Sequence, residues 1–166
     1  MNQGDFDMTF KVLLPSDGSP AATHAARYAA RNLHGRDASV LLLNVQPVYV
    51  DAEMLHMGRA IVEIHRNDGE AALREAAGIL AAAGIEHRAE IAFGPVAQAI
   101  AHAAKHAGSD AIVMGTRARH PAVELFARST PSRVLRHAEV PVMLVRYEPK
   151  RSAERPAAVE TPFIAA

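Results

Sequence analysis

Short apolar runs alternate with longer alanine-rich stretches along the chain, and each run has the length of a buried strand. Strands are predicted at residues 10–14, 39–45, 85–93, 111–114 and 142–145. Continuous apolar runs of this length are typical of strands that are buried on both faces of a parallel sheet. The partial alternation of apolar and polar residues in 85–93 places that strand at or near an edge of the sheet.

The stretches between these runs carry signals for helix starts and stops. Helices are predicted at residues 20–33, 61–83, 96–107 and 131–137, and residues 49–63 fit either a loop or an early helical turn. Ser19-Pro20 and Thr130-Pro131 each supply an N-cap followed by proline at the first helical position. Gly35, Gly84 and Gly108 are natural C-terminal stops. Within the second helix, Gly69 and Gly78 weaken the pattern.

Strand–helix alternation repeated to a fifth strand predicts an α/β fold, with a doubly wound five-stranded parallel sheet covered by helices on both faces. Right-handed crossovers give the strand order 3-2-1-4-5. We expect one domain over residues 10–147, a flexible N-terminus at 1–9 and a disordered tail at 148–166, which is charged and contains proline.

Two loops follow strands one and four, where the winding of this sheet reverses. The first is Pro15-Ser16-Asp17-Gly18-Ser19-Pro20, and the second begins with Gly115-Thr116-Arg117-Ala118-Arg119-His120 and leads to Arg128-Ser129-Thr130-Pro131. Ligands of open parallel sheets bind outside the carboxyl ends of the strands at such a reversal. Because helix N-termini present free N–H groups there, the two loops predict one anion-binding site.

Composition narrows the classes of function. Lysine plus arginine equals aspartate plus glutamate at 18 each, which argues against a dedicated nucleic-acid binder. The absence of cysteine excludes disulfides, thiolate nucleophiles and Cys-ligated metals. No apolar run has the length of a membrane span, and the first residues do not resemble a signal peptide. We therefore expect a cytoplasmic protein that binds neither nucleic acid nor membrane.

Motifs of familiar enzymes are absent from the sequence. It contains no P-loop, no dinucleotide-binding Gly-x-Gly-x-x-Gly and no Gly-x-Ser-x-Gly nucleophile elbow. His102 and His106 lie one helical turn apart and could share a metal, but no third ligand adjoins them, so we interpret them as surface residues. No catalytic residue and no metal ligand are predicted.

Several blocks, in this order, resemble the universal stress protein family. They are residues 12–19, Leu43-Asn44-Val45, Gly94-Pro95 with Ile100, residues 110–117 and residues 141–145. The resemblance spans about residues 10–146. It implies a Rossmann-like fold of the adenine nucleotide alpha hydrolase-like kind that dimerises through its last strand. Many members bind ATP or AMP, with or without Mg²⁺, whereas others act through contacts with protein partners.

The resemblance also implies roles at individual positions. Asp17 would accept hydrogen bonds from the adenine or ribose side, although an Asp-Gly pair also forms turns. Val45 would offer backbone groups to adenine, and Gly115 would let the backbone approach ribose and phosphate. The phosphates would meet Arg119, Arg128, Ser129 and Thr130, of which the last two also suit helix capping. The full expected set is Pro15, Ser16, Asp17, Val45, Met114, Gly115, Ala118, Arg119, Arg128, Ser129 and Thr130.

The second loop departs from the family's nucleotide-binding pattern, in which Gly, two residues, Gly, nine residues and Gly precede Ser or Thr. Gly115 and Ser129 match, but Ala118 and Arg128 replace two glycines. Two functions stay open: an adenine-nucleotide-responsive binding module of the stress response, and a nucleotide-independent stress or interaction protein with a degraded phosphate loop. ATP hydrolysis would be weak at most, because no general base is evident beside that loop.

The last predicted strand is apolar and lies at a sheet edge. An uncovered apolar edge is an aggregation hazard, and pairing with a second copy would remove it. We therefore expect a homodimer whose interface contains Val140, Val142, Met143, Leu144 and Val145.

Overall fold

Five strands and four helices alternate along the described part of the chain. The computed structural model describes residues 9–46, 58–117 and 129–149, and the side chains of all of these except 58–61. The elements are β1 (Phe10–Pro15), α1 (Pro20–Leu33), β2 (Ala38–Gln46), α2 (Gly58–Ala82), β3 (Glu86–Phe93), α3 (Val96–His106), β4 (Ala111–Thr116), α4 (Thr130–His137) and β5 (Val142–Arg146). None of these helices is both long and apolar enough to cross a membrane.

The strands form one parallel sheet in the order β3-β2-β1-β4-β5, which confirms the predicted fold class and strand order. β1 lies at the centre, where Val12 pairs with Val40 of β2 on one side and with Ala111 of β4 on the other. β3 and β5 are the two edges of the sheet. The edge position predicted for the third strand from its partial alternation is therefore correct.

Alternate side chains of β1 enter two separate cores on the two faces of the sheet. Val12 and Leu14 pack on one face with α1 and α2, in a cluster that includes Ala25 and Leu80. Leu13 packs on the other face with α3 and α4. Because both faces of β1 are buried, its sequence is a continuous apolar run and not an alternating one.

Capping residues set where two of the helices begin. The Ser19 Oγ accepts a hydrogen bond from the Ala22 N–H at 3.3 Å, as predicted for the N-cap of α1. The prediction for α4 was wrong by one residue, because the cap is Ser129 and Thr130 is already helical. The Ser129 Oγ accepts from the Ser132 N–H at 3.4 Å. Two adjacent hydroxyl residues before a proline offer two possible caps, since proline is accommodated throughout the first helical turn.

Helix α2 begins at Gly58, three residues before its predicted start, and ends at Ala82. The predicted ambiguity at 49–63 is thus resolved to helix from residue 58, and residues 47–57 lie outside the described part of the chain. A Cβ added at Gly69 would stand 3.0 Å from the Asn44 Oδ1 and from the Ile91 Cδ1, whereas one at Gly78 would meet nothing within 4 Å. Close packing on the sheet therefore accounts for Gly69 within this helix, but not for Gly78.

Gly115 in β4 lies directly beneath the first turn of α1. A Cβ added there would overlap the carbonyl group of Ala21 and stand 2.9 Å from the Ala22 nitrogen. These neighbours are backbone atoms of a capped helix and cannot rotate away as a flexible side chain would. The first turn of α1 can therefore rest on β4 only because residue 115 has no side chain.

The Gly115→Ala substitution should destabilise the fold. We expect the free energy of unfolding to fall by about 3 kcal/mol, the upper end of overpacking costs, because backbone must move to admit the methyl group. Urea denaturation followed by circular dichroism measures this change.

Gly78→Ala is the matched control, because its methyl group enters open space on an ordered helix. It should raise the free energy of unfolding by about 0.5–1 kcal/mol. Equal stability of the two variants would contradict the close contact at Gly115.

Candidate ligand-binding cleft

A cleft of about 530 Å³ opens at the carboxyl ends of β1 and β4, where the winding of the sheet reverses. This volume lies in the range of about 300–1,000 Å³ that is typical of small-molecule sites. Its described lining is Pro15, Ser16, Asp17, Ser19, Ala21, Ala22, Leu43, Asn44, Val45, Val96, Ile100, Met114, Gly115, Thr116, Arg117, Ser129, Thr130 and Pro131.

Residues from both predicted loops line this one cleft. The predicted site residues found in the lining are Pro15, Ser16, Asp17, Val45, Met114, Gly115, Ser129 and Thr130. Three further predicted residues, Ala118, Arg119 and Arg128, lie outside the described part of the chain. The structure thus brings residues 15–17 and 114–115 together although they are far apart in sequence, and their roles toward a ligand stay predictions.

The side chain of Ser16 supports the loop between β1 and α1. It is 5% exposed. Its Oγ donates a hydrogen bond to the Ala72 carbonyl of α2 at 3.3 Å and accepts one from the Gly18 N–H at 3.3 Å. The Ser16 N–H donates to the Leu43 carbonyl of β2 at 2.9 Å. Because its hydroxyl is engaged on both sides, Ser16 holds the loop in place.

Asp17 combines a turn with a carboxylate at the cleft. Its Oδ1 accepts a hydrogen bond from the Ser19 N–H at 2.9 Å, which is the local pattern of an Asx turn. Gly18 between them has a φ of +74°, a left-handed conformation that glycine adopts without steric cost. The side chain is exposed, and within the described residues its Oδ2 makes no hydrogen bond. The turn directs one carboxylate oxygen to the backbone, while the exposed side chain lines the cleft.

Asn44 is a structural member of the site to which the sequence analysis assigned no role. It is 4% exposed, its Nδ2 donates to the Ser16 carbonyl at 2.7 Å, and its Oδ1 accepts from the Gln46 Nε2 at 2.7 Å. A single amide inside the apolar run 40–45 could have indicated this role. Burying an amide is costly unless it is hydrogen-bonded, so such a residue is expected to have a partner. The sequence could not name its partner, which is 28 residues away.

The lining of the cleft combines apolar side chains with two helix N-termini. The apolar side chains come from β2, α3 and β4: Leu43, Val45, Val96, Ile100 and Met114. The first turns of α1 and α4 also line the cleft, and both helices direct the positive ends of their dipoles there. The Ser19 and Ser129 hydroxyls cap the Ala22 and Ser132 N–H groups. This lining suits an anionic ligand with an apolar portion.

The charges of the described lining are nearly balanced. Asp17 is its carboxylate and Arg117 its guanidinium, and both side chains are exposed to solvent. No group of three or more potential metal ligands occurs within residues 9–46, 58–117 and 129–149. Among the described residues, Arg117 and the N-termini of α1 and α4 are therefore the groups that attract an anion.

The fold is a doubly wound α/β domain with a cleft where the winding of its sheet reverses. Its sequence matches the model of the universal stress protein family over residues 8–146. The chain belongs to the universal stress protein family, and the predicted resemblance is confirmed.

Individual relatives match this chain over a similar length. A universal stress protein of Methanocaldococcus jannaschii is 28% identical over 143 residues, which cover 85% of this chain and 84% of that protein. The structure of the universal stress protein UspA from Lactobacillus plantarum is 25% identical with a TM-score of 0.66, covering 82% of this chain and 97% of that one. A family member from Arabidopsis thaliana, solved with AMP bound, is 22% identical with a TM-score of 0.61, covering 84% and 92%.

Replacing the α1 cap tests how the wall of the cleft is held. Ser19→Ala removes the acceptor for the Ala22 N–H and should lower the free energy of unfolding by about 1 kcal/mol. Ser19→Asp keeps a capping oxygen and should retain most of the stability. Urea denaturation of both variants measures the difference, and equal losses would show that the cap at Ser19 is not what stabilises α1.

Proposed function

We propose that this protein is a binding module for adenine nucleotides, with ATP or AMP as the ligand, and that occupancy changes its affinity for a protein partner in the stress response. The observation that carries the proposal is the shared cleft of Asp17 and Gly115, which is lined by apolar side chains and by the N-termini of α1 and α4. Support comes from three family structures that hold AMP, cAMP and dAMP, with TM-scores to this chain of 0.61, 0.64 and 0.58.

In this proposal the base packs on the apolar side chains of the cleft, beside Val45 and Ile100. The Asp17 Oδ2 accepts a hydrogen bond from the ribose or the base, and the phosphates lie at the N-terminus of α4 near Ser129 and Thr130. The positive dipole ends of α1 and α4 and the Arg117 guanidinium balance the phosphate charge. A Mg²⁺ ion accompanies the polyphosphate of ATP.

Gly115 also has a packing task beside the approach to ribose and phosphate that the family resemblance implies. Its missing side chain makes room for the Ala21 carbonyl and so brings the first turn of α1 to the cleft wall. Its contribution to nucleotide binding then runs through the placement of α1.

Calorimetric titration of nucleotide-free protein with ATP and AMP tests binding, and Asp17→Asn tests the site. Asparagine keeps the turn, because its Oδ1 still accepts from the Ser19 N–H, but it removes the charge. We expect about tenfold to a hundredfold weaker binding, the equivalent of about 1.5–3 kcal/mol for a charge-assisted hydrogen bond. The matched control is Glu90→Gln, a carboxylate paired with Arg88 on the surface of β3. Absence of heat at millimolar ATP and AMP would end the proposal.

The alternative, a nucleotide-independent interaction protein, is favoured by Ala118 and Arg128 in place of two glycines of the family pattern. The double substitution Ala118→Gly with Arg128→Gly separates the two functions. If the missing glycines are the obstacle, the double variant gains ATP binding that the natural chain lacks. If the Arg128 guanidinium holds phosphate, Arg128→Gly alone weakens binding.

Mass spectrometry of small molecules released on denaturation gives an independent answer, because co-purified ATP counts against the alternative.

We further propose that the protein is a homodimer through β5. This strand is an edge, pairing within the described part of the chain with β4 from Val142 to Arg146. The Met143 side chain is 46% exposed, and the exposed Leu135 lies on α4, the helix that directly precedes this edge. Val145 is 7% exposed and already packs in the core, so its side chain offers a partner little additional surface.

Met143→Glu should convert the dimer to a monomer, because pairing of two β5 strands about a two-fold axis brings the introduced charges close together. Light scattering coupled to size-exclusion chromatography measures the mass in solution. The matched control is Phe93→Glu, which places the same charge at an exposed apolar position of the opposite edge strand and should leave the dimer intact. A wild-type protein that stays monomeric across micromolar concentrations would refute this proposal.

A further inference from the structure

One turn of helix α2 touches the framework of the cleft at two points. The Ala72 carbonyl accepts a hydrogen bond from the Ser16 Oγ at 3.3 Å, and the Ala72 Cα stands 3.2 Å from where a Cβ at Gly18 would lie. Gly69, at the start of the same turn, packs so closely that an added Cβ would stand 3.0 Å from the Asn44 Oδ1. The turn Gly69–Ala72 thus contacts both the loop that carries Asp17 and the end of β2.

Asn44 connects these contacts. Its Nδ2 donates to the carbonyl of Ser16, the residue that directly precedes Asp17, and its Oδ1 faces Gly69. The side chain is buried, and Gln46 completes its hydrogen bonding. Because hydrogen bonds to Ser16 and from Gln46 hold this buried amide, it has one favoured position. A displacement of the α2 turn that moves the amide therefore also moves the Ser16 carbonyl.

The other side of the same α2 turn faces solvent. Glu70, Ala71 and Arg74 are exposed there. A contact made with these residues would act on the Gly69–Ala72 turn without entering the cleft.

We propose that Asn44 is a positioning residue that couples the packing of helix α2 to the ligand affinity of the cleft. This inference rests on the proposed nucleotide binding and states how that site is regulated. Pressure on the α2 turn displaces the Asn44 amide, the Ser16 carbonyl follows, and the adjoining Asp17 loses its productive orientation.

Gly69→Ala and Gly78→Ala form a matched pair for the test. Both make the same change on the same helix, but only the methyl group at residue 69 meets Asn44. We expect Gly69→Ala to weaken ATP binding about tenfold and Gly78→Ala to leave it unchanged. The reason is that the residues packed behind a binding site must hold it to within about 0.5 Å. Equal affinities of the two variants for ATP would overturn the coupling.

A double-mutant cycle separates positioning from general destabilisation. Asn44→Ala removes both the donor to Ser16 and the atom that an alanine at position 69 would press, so it should itself weaken ATP binding. Adding Gly69→Ala to Asn44→Ala should then cost less affinity than Gly69→Ala costs in the wild type, with contact to the Ile91 side chain as the remaining effect. Fully additive losses would contradict a route through Asn44. If Gly69→Ala does not fold, Asn44→Ala alone decides, because unchanged ATP affinity in that variant excludes a positioning role.

Amide hydrogen exchange provides a readout that needs no ligand. The Gly18 and Ser19 amides should exchange faster in Gly69→Ala and Asn44→Ala than in the wild type, and at the wild-type rate in Gly78→Ala. A wild-type protein that binds no ATP would remove the proposed function, whereas these exchange rates would still support or overturn the coupling. Unchanged exchange in both Gly69→Ala and Asn44→Ala would overturn it.

Discussion

The burial of β1 on both faces governs the architecture of this protein. Val12, Leu13 and Leu14 are almost completely removed from solvent, and they point alternately into two cores. A central strand can be covered in this way only if crossover helices lie on both faces of the sheet. The chain therefore winds outward to β2 and β3 and then returns to the other side as β4 and β5. This reversal leaves the carboxyl ends of β1 and β4 without a crossover between them, and the cleft opens there.

Close packing of helices on this sheet sets the shape of the cleft. Gly115 lets the first turn of α1 rest on β4, and Gly69 lets α2 approach Asn44 at the end of β2. A methyl group at residue 115 would overlap backbone, whereas one at residue 69 would press on the side chains of Asn44 and Ile91. The walls of the cleft are thus held by contacts behind them, and their geometry depends on how closely the helices pack on the sheet.

The polar groups around the cleft divide into those that hold the framework and those that face the opening. Ser16 and Asn44 are buried and hydrogen-bonded to the protein, so they keep the β1–α1 loop rigid. Asp17 and Arg117 are exposed at the same opening. The β1–α1 loop is thus held by buried hydrogen bonds, and the N-termini of α1 and α4 line the same cleft as the Asp17 carboxylate.

Much of this protein can be inferred from patterns that lie within a few residues of one another. Apolar runs located all five strands, the Ser19-Pro20 cap located α1, and the order of the strands followed from the handedness of crossovers. These features are local, or follow from general rules of sheet topology, and so the fold class and the position of the cleft were predicted correctly. Where two local signals competed, as at Ser129 and Thr130 before α4, the prediction missed by one residue.

The tasks of Asn44, Gly69 and Gly115 became apparent only once the chain was folded. Asn44 meets a carbonyl 28 residues away, and Ser16 meets α2 across 56 residues. In the sequence, a glycine within a helix or strand only lowers the propensity for that element. The atoms that leave no room for a side chain belong to another element, so the reason for the glycine is visible only in the folded structure. Distances of a few tenths of an ångström between such elements are set by the packing of the whole domain, which no local pattern encodes.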